Sequence, residues 1–181
     1  MFCISNQIAY ADQMVYDTRE VPIPLPPSGW IDVVATESED NWIPAEGLAI
    51  HMLLADLVRA SANPHEILLV SPFRDVAENL REIGRKYGIA GGRAGTIHIS
   101  QGKESDVVIF VLGGHPRRPG AKAWASEKPN LLNVAVSRAR RRLYIIGNRD
   151  GWSHYPYFST AAALLAQKQT SLGAGMPAVD C

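Results

Sequence analysis

The amino-acid sequence predicts an α/β domain built on a mainly parallel central sheet. Three observations carry that expectation. Short apolar runs alternate with segments whose apolar residues recur at helical spacing, the pattern of strand–helix–strand units. The strand-like runs are continuously apolar rather than alternating, as expected when helices cover both faces of the sheet. The chain has 181 residues, of which 46% are hydrophobic, enough for one domain with a real core.

The elements follow in order. Four prolines (Pro22, Pro24, Pro26, Pro27) with Ser28 and Gly29 form an extended connector after an entry segment within residues 1–30. Residues 31–35 read as a strand. Residues 45–60 read as a helix, stopped near Asn63-Pro64. Residues 66–70 are a buried strand closed by Ser71-Pro72. Residues 73–87 are an amphipathic helix with Val76, Leu80 and Ile83 on one stripe, ended by Gly88. Strands are expected at 95–99 and 107–112, a helix at 130–139, a strand at 143–146 and a last helix at 158–169. The domain is expected to end near residue 170, with 171–181 a flexible tail.

Composition excludes several classes. No run of about 18 apolar residues exists, so no membrane span is expected. Residues 1–6 lack a basic stretch followed by an apolar one, so no signal peptide is read. Cys3 and Cys181 form neither a disulfide framework nor a metal cluster, which fits a reducing, cytoplasmic (intracellular) setting.

Lys+Arg and Asp+Glu balance at 18 each, for a net charge of zero. The charges are segregated, however. Residues 1–60 hold nine acids and two bases, and residues 113–150 hold nine bases and two acids. Segregation of this kind points to a local anion site, which net charge conceals.

The glycine-rich stretch 88–95 follows a helix and precedes a strand. A phosphate-binding loop does the reverse, so this stretch reads as a connector. No G-x-x-x-x-G-K-[ST] segment occurs in the chain. Ligands of open parallel sheets bind at strand carboxyl ends. That draws attention to loops beginning at Ser71, Ser100, Gly113 and Gly147, and to the helix that carries Arg138. Four arginines in five residues (Arg138, Arg140, Arg141, Arg142) exceed what a helix C-terminus needs, and arginine suits bidentate phosphate contact.

Three segments share a resemblance. Ser71-Pro72-Phe73-Arg74 resembles T/S-P-Y-R. Residues 96–104 resemble T-[IV]-[DH]-x-x-Q-G-x-E. Residues 132–147 resemble the long L-N-V-A-[LV]-[ST]-R-A-R-x-x-L-x-[IV]-[IV]-G signature. In order and spacing these resemble motifs IV, V and VI of superfamily 1 DNA/RNA helicases, in the Upf-like group. Ile4-Ser5-Asn6 and Tyr10 resemble the entry into that family's second motor domain, so the likeness spans about residues 1–165.

The resemblance implies a three-layer RecA-like fold of the P-loop NTPase type. It implies ATP with Mg²⁺ bound mainly by an N-terminal RecA-like domain that this chain lacks, and single-stranded DNA or RNA as a further partner. By position, Arg138 would be an arginine finger and Arg74 a second γ-phosphate contact. Phe73, where the family usually has tyrosine, would lie near the base. Glu104 would hold the ribose, with Gln101 and Gly102 shaping its turn. Thr96 and His98 would face the nucleic-acid backbone, His98 standing where the Upf-like group usually has aspartate. The isolated chain would then be inactive as an ATPase.

The competing reading, motivated by the basic segment 113–150, is a stand-alone nucleic-acid-binding module without motor activity. A small-molecule enzyme of another α/β family lacks a nucleophile–base pair or a cofactor fingerprint here. Trp30, Trp42, Trp124 and Trp152 read as packing groups, His51, His65, His115 and His154 as structural, and 113–120 as a solvated basic loop.

Overall fold

A computed structural model describes residues 24–100, 102–127 and 130–169 of the chain. The expected entry motif (Ile4-Ser5-Asn6, Tyr10), Gln101 and the 171–181 tail lie outside the described residues. In chain order the elements are β1 (Gly29–Asp32), α1 (Pro44–Arg59), β2 (Ile67–Ser71), α2 (Arg74–Lys86), β3 (Ala94–Thr96), β4 (Ser105–Val111), α3 (Pro119–Ser126), α4 (Asn130–Arg138), β5 (Ala139–Gly147), α5 (Arg149–Ser153), α6 (Phe158–Leu164) and β6 (Gln167–Gln169). The strands form one sheet in the order β3-β2-β4-β5-β1-β6, and every pairing is parallel.

Parallel strands require crossovers, and these are right-handed in nearly all proteins. The connections β1→β2 and β2→β3 run one way along the sheet, and the later ones run the other. The rule therefore puts α1 and α2 on one face and α3 to α6 on the other, which makes three layers. The chain reverses direction between β2 and β4, and again between β5 and β1. At these two switch points neighbouring strands send their following segments to opposite faces and open a crevice at their carboxyl ends.

The sheet is the core. Leu68, Val70, Val108, Phe110, Leu143 and Ile145 are fully buried, and each such side chain contributes about 1.5–3 kcal/mol relative to exposure. Along α2 the buried residues are Val76, Ala77, Leu80, Ile83 and Gly84, a stripe at helical spacing that includes the three expected positions. Gly88, at φ +73°, ends that helix as expected.

Several sequence expectations change. The strand expected at 31–35 is Gly29–Asp32, and Arg149–Ser153 form a helix not among those expected. The strand expected at 95–99 is short (Ala94–Thr96) and continues as a 3₁₀ turn over Ile97–Ser100. The last strand starts at Ala139 rather than 143 and takes in Arg140, Arg141 and Arg142. The cause is electrostatic: Asp106 on neighbouring β4 pairs with Arg140 Nε (3.3 Å) and Arg141 Nε (3.4 Å), and Glu66 takes Arg140 Nη2 (2.5 Å). The expected helix 158–169 ends at Leu164, and Gln167–Gln169 adds an edge strand beside β1. Residues 119–126, partly read as loop, form α3, with Pro119 in its first turn.

Three tryptophans pack as expected. Trp30 and Trp152 are fully buried, donating to the carbonyls of Gly147 (2.9 Å) and Gly113 (3.3 Å), and Trp42 is 9% exposed. Trp124 differs, at 57% exposed.

Gly113, just past β4, holds φ +57°, and a Cβ there would lie 2.6 Å from the Asn41 carbonyl oxygen and 2.7 Å from Val76 Cγ2. Gly113→Ala should lower unfolding stability by about 2–4 kcal/mol through backbone strain and overpacking. Urea denaturation checks this, and a loss below about 0.5 kcal/mol would show that the loop is free to relax.

Candidate functional site

The parallel register sorts the candidate residues onto two edges of the sheet. Ser105 at the start of β4 lies opposite Ala139 at the start of β5. The residues just before them, Glu104 and Arg138, therefore both lie at the amino edge. Gly102 is two residues upstream, exposed, at φ +73° and with open space where a Cβ would project. Glu104 is exposed. The turn that carries them is pinned by Lys103 Nζ, which donates to the Gly92 carbonyl (2.7 Å), and by Arg93 Nη1, which donates to Ser105 Oγ (2.6 Å).

The arginines of this region differ sharply in engagement. Arg140 and Arg141 are held by Asp106 and Glu66. Arg142 donates to the Leu25 and Arg141 carbonyls. Arg149 donates to Gln167 Oε1 and to the Ala162 carbonyl. Arg138 is half-buried, its Nε is buried without a hydrogen bond, and among the described residues it makes no ion pair or hydrogen bond. Arg142 and Arg149 also have a buried Nε without a hydrogen bond, but their other guanidinium nitrogens donate to protein oxygens. A partly desolvated guanidinium with no acceptor is costly unless an anion completes it. An oxyanion such as a phosphate, presented to its fork, fits that need.

Phe73 and Arg74 lie elsewhere. They follow Ser71 at the carboxyl end of β2. Ser71 Oγ accepts the Phe73 N–H (3.2 Å) and turns the chain into α2, whose first residue is Arg74. Thr96 is opposite Ser71, and His98, exposed, is two residues on. Counted along β4 from Ser105 to Val111, the two edges are about 20 Å apart. The structure thus brings Arg138, Glu104 and Gly102 together, and separately Phe73, Arg74, Thr96 and His98. It does not bring Arg74 and Phe73 to Arg138. Phe73 is buried, with its ring centroid 6.3 Å from that of Trp124.

A family model described as an AAA domain matches residues 6–150. That is most of the chain. The chain belongs to this AAA-domain family, the C-terminal region of Upf-like helicases.

A probable helicase of Dictyostelium discoideum is 33% identical over 85 residues, 47% of this chain and 9% of that protein. The DNA polymerase alpha-associated DNA helicase A of Schizosaccharomyces pombe is 28% identical over 116 residues, 63% of this chain and 16% of that protein. The chain thus matches a small part of each relative's length. The crystal structure of the C-terminal domain of a possible DNA helicase from Lactobacillus plantarum superposes with a TM-score of 0.51 at 15% identity, covering 91% of this chain and 92% of that one. The RecA-like α/β fold is shared. No helix among the described residues is long and apolar enough to cross a membrane.

One further group in this AAA domain escaped the sequence reading. At the β5/β1 switch point, Val33, Ile43, Glu46, Gly114, Lys122 and Asn148 line a cavity of about 20 Å³, room for one water molecule. Glu46 is 2% exposed, and its Oε2 accepts the Gly113 N–H at 2.9 Å. Burial pushes its carboxyl up from the ordinary 4.5 to about 8, against the lowering effects of that hydrogen bond and of Lys122. Burial pushes the Lys122 ammonium down, partly offset by Glu46. Glu46 and Lys122 lie on different helices far apart in sequence, so no local motif announces them.

An acid raised on folding keeps its proton in the native state after the unfolded state has lost it. Native stability then falls as pH rises from about 4.5 to about 8. Glu46→Gln keeps an acceptor for Gly113 but cannot ionise. Its stability relative to wild type should climb across pH 5 to 8 in urea titrations, and a constant difference would refute the assignment.

Proposed function

We propose that the chain is the second RecA-like motor domain of an ATP-dependent helicase. On this reading it supplies an arginine finger and nucleic-acid contacts to an active site whose triphosphate cradle lies on another domain. The observation that supports it is Arg138: a guanidinium without an acceptor among the described residues, at the end of the helix that carries the family's longest signature and at the same sheet edge as Glu104.

The residues present fit a nucleotide at that edge. Arg138 would face the γ-phosphate, where a guanidinium stabilises charge developing on the transferring group. Glu104 would accept from a ribose hydroxyl, and Gly102, lacking a side chain, would admit close approach of the ligand to its turn. Mg²⁺, held mainly by the domain that carries the triphosphate cradle, would neutralise part of the phosphate charge. Because Arg138 acts from one domain on a nucleotide held by another, hydrolysis becomes sensitive to closure between them. At the opposite edge Thr96, His98 and Arg74 would face the backbone of single-stranded DNA or RNA. Arg74 belongs there in this proposal, since the sheet separates it from Arg138.

Arg138→Ala in the full-length protein should reduce ATP turnover by about 10³-fold or more while leaving binding of a fluorescent nucleotide within a few-fold. Normal turnover in that variant would refute the finger. The pure 181-residue chain should show no ATP turnover in a phosphate-release assay, and measurable turnover would refute the half-site reading.

A further inference from the structure

We propose that Trp124 is a base-stacking platform for single-stranded nucleic acid, seated in the crevice between the carboxyl ends of β2 and β4. The proposal rests on the nucleic-acid partner inferred above and assigns a residue to it.

Four observations meet at this point. The first is exposure. The other three tryptophans are at most 9% exposed, whereas Trp124 is 57% exposed. Indole is a large apolar surface, and leaving more than half of it in water forgoes burial that the fold secures elsewhere.

The second is support. The Trp124 ring lies 6.3 Å from the ring of Phe73 at a tilt of 37°, and Phe73 is itself 7% exposed. Phe73 is anchored at the start of α2 by the Ser71 turn, and it lies 3.5 Å from where a Gly113 Cβ would be. The indole therefore sits on a buried aromatic base, which limits the entropy lost when a nucleobase is stacked on it.

The third is topology. β2 is followed by α2 on one face of the sheet and β4 by α3 on the other. Trp124 and Phe73 thus meet at a switch point, where open parallel sheets form their ligand crevices.

The fourth is charge. Arg74 beside Phe73, and Arg117 and Arg118 just before α3, are exposed. The nearby acid Asp75 is occupied, accepting the Asn41 N–H at 2.7 Å. Exposed Glu78 lies on α2, and exposed Glu127 directly follows α3. Glu37, Glu39 and Asp40 follow β1, beyond Gly114, whose N–H donates to the Asn41 carbonyl at 2.9 Å. The acidic loop borders the crevice, since Asn41 next to Asp40 meets Asp75 and Gly114, while Arg74 and the exposed His98 lie on its β2-β3 flank. A polyanion would run over Arg74, His98 and Thr96, with a base turned onto Trp124. Aromatic stacking with flanking cations is how single strands are held without reading sequence.

The test uses the full chain and fluorescein-labelled single strands of about 12 nucleotides, in deoxythymidine, uridine and abasic forms. The expected results are salt-dependent binding, quenching of tryptophan fluorescence by the base-bearing strands, and about tenfold weaker binding in Trp124→Ala. Trp124→Phe should bind more nearly like wild type yet lose the quenching. The abasic strand should bind wild type and Trp124→Ala alike. The deoxy and ribo strands identify which nucleic acid supplies the base.

Salt-dependent binding that Trp124→Ala leaves unchanged, with no quenching, would overturn the platform while the nucleic-acid reading stands. It would point instead to a protein domain covering this indole. Absence of any single-strand binding by wild type would overturn both. Unchanged circular dichroism in Trp124→Phe guards against a folding artefact.

Discussion

Pairing of β4 with β5 is the constraint on which the arrangement depends. It joins two long, buried strands at the middle of the sheet, with Val107 opposite Arg142 and Val111 opposite Ile146. Leu143 to Ile146 are buried on both faces of the sheet, so a slip of one residue would force both layers packed against β5 to repack at once. A one-residue irregularity between Ser105 and Val107 then decides which residues flank the starts of these strands, setting Ser105 opposite Ala139. Glu104 and Arg138 share an edge because Ser105 and Ala139 are partners, and for no more local reason.

The arginine cluster gains its meaning from this frame. Seen as sequence, Arg138 to Arg142 form one basic block. In the fold they separate by task. Arg140 and Arg141 are drawn into β5 by Asp106 and Glu66, and half-exposed pairs of this kind contribute roughly 1 kcal/mol or less each. Their role is local: they let a charged stretch join a sheet, opposite charges meeting across the strands. Removing these partners from the account leaves Arg138 as the guanidinium of this stretch without one among the described residues. A basic segment thus contributes one anion-seeking group rather than a diffuse field, which favours a directed phosphate contact over general electrostatic attraction.

The fold was largely legible because its signals are local and redundant. Continuous apolar strands, the Val76–Leu80–Ile83 stripe and the glycine after α2 each announce themselves within a few residues. What sequence reading missed depended on partners distant in the chain. β5 begins early because of Asp106, more than thirty residues upstream. β6 exists because β1 offers it an edge. Glu46 looks like an ordinary first-turn acid of a helix, and only its burial in the assembled fold raises its carboxyl, against the opposing pull of Gly113 and Lys122. Trp124 looked like the other tryptophans, since exposure is a property of the assembled surface. The geometry of the expected residues was not legible: motif order placed Arg74 with Arg138, and the sheet places them at opposite edges, because which residues share an edge is set by strand order and register.

That separation bears on the proposed motor. If nucleotide engages the amino edge through Arg138 and Glu104, and single strands engage the carboxyl edge around Trp124, the two ligands are joined by β4 itself. Glu104 precedes that strand and Gly113 follows it. Protein interiors are close-packed and transmit displacement with little compression, and Val107 to Val111 are buried to within 1%. A shift imposed at one end would therefore pass to the other as a rigid movement of strand and sheet rather than be absorbed between them. The loop at the far end is built to follow such a movement as a unit, since Gly113 is held by Glu46, Gly114 by Asn41, and the Gly113 carbonyl by Trp152. On this argument the domain needs no internal hinge. In the proposed motor it would act as one lever, with the moving joint between it and the domain proposed to hold the nucleotide.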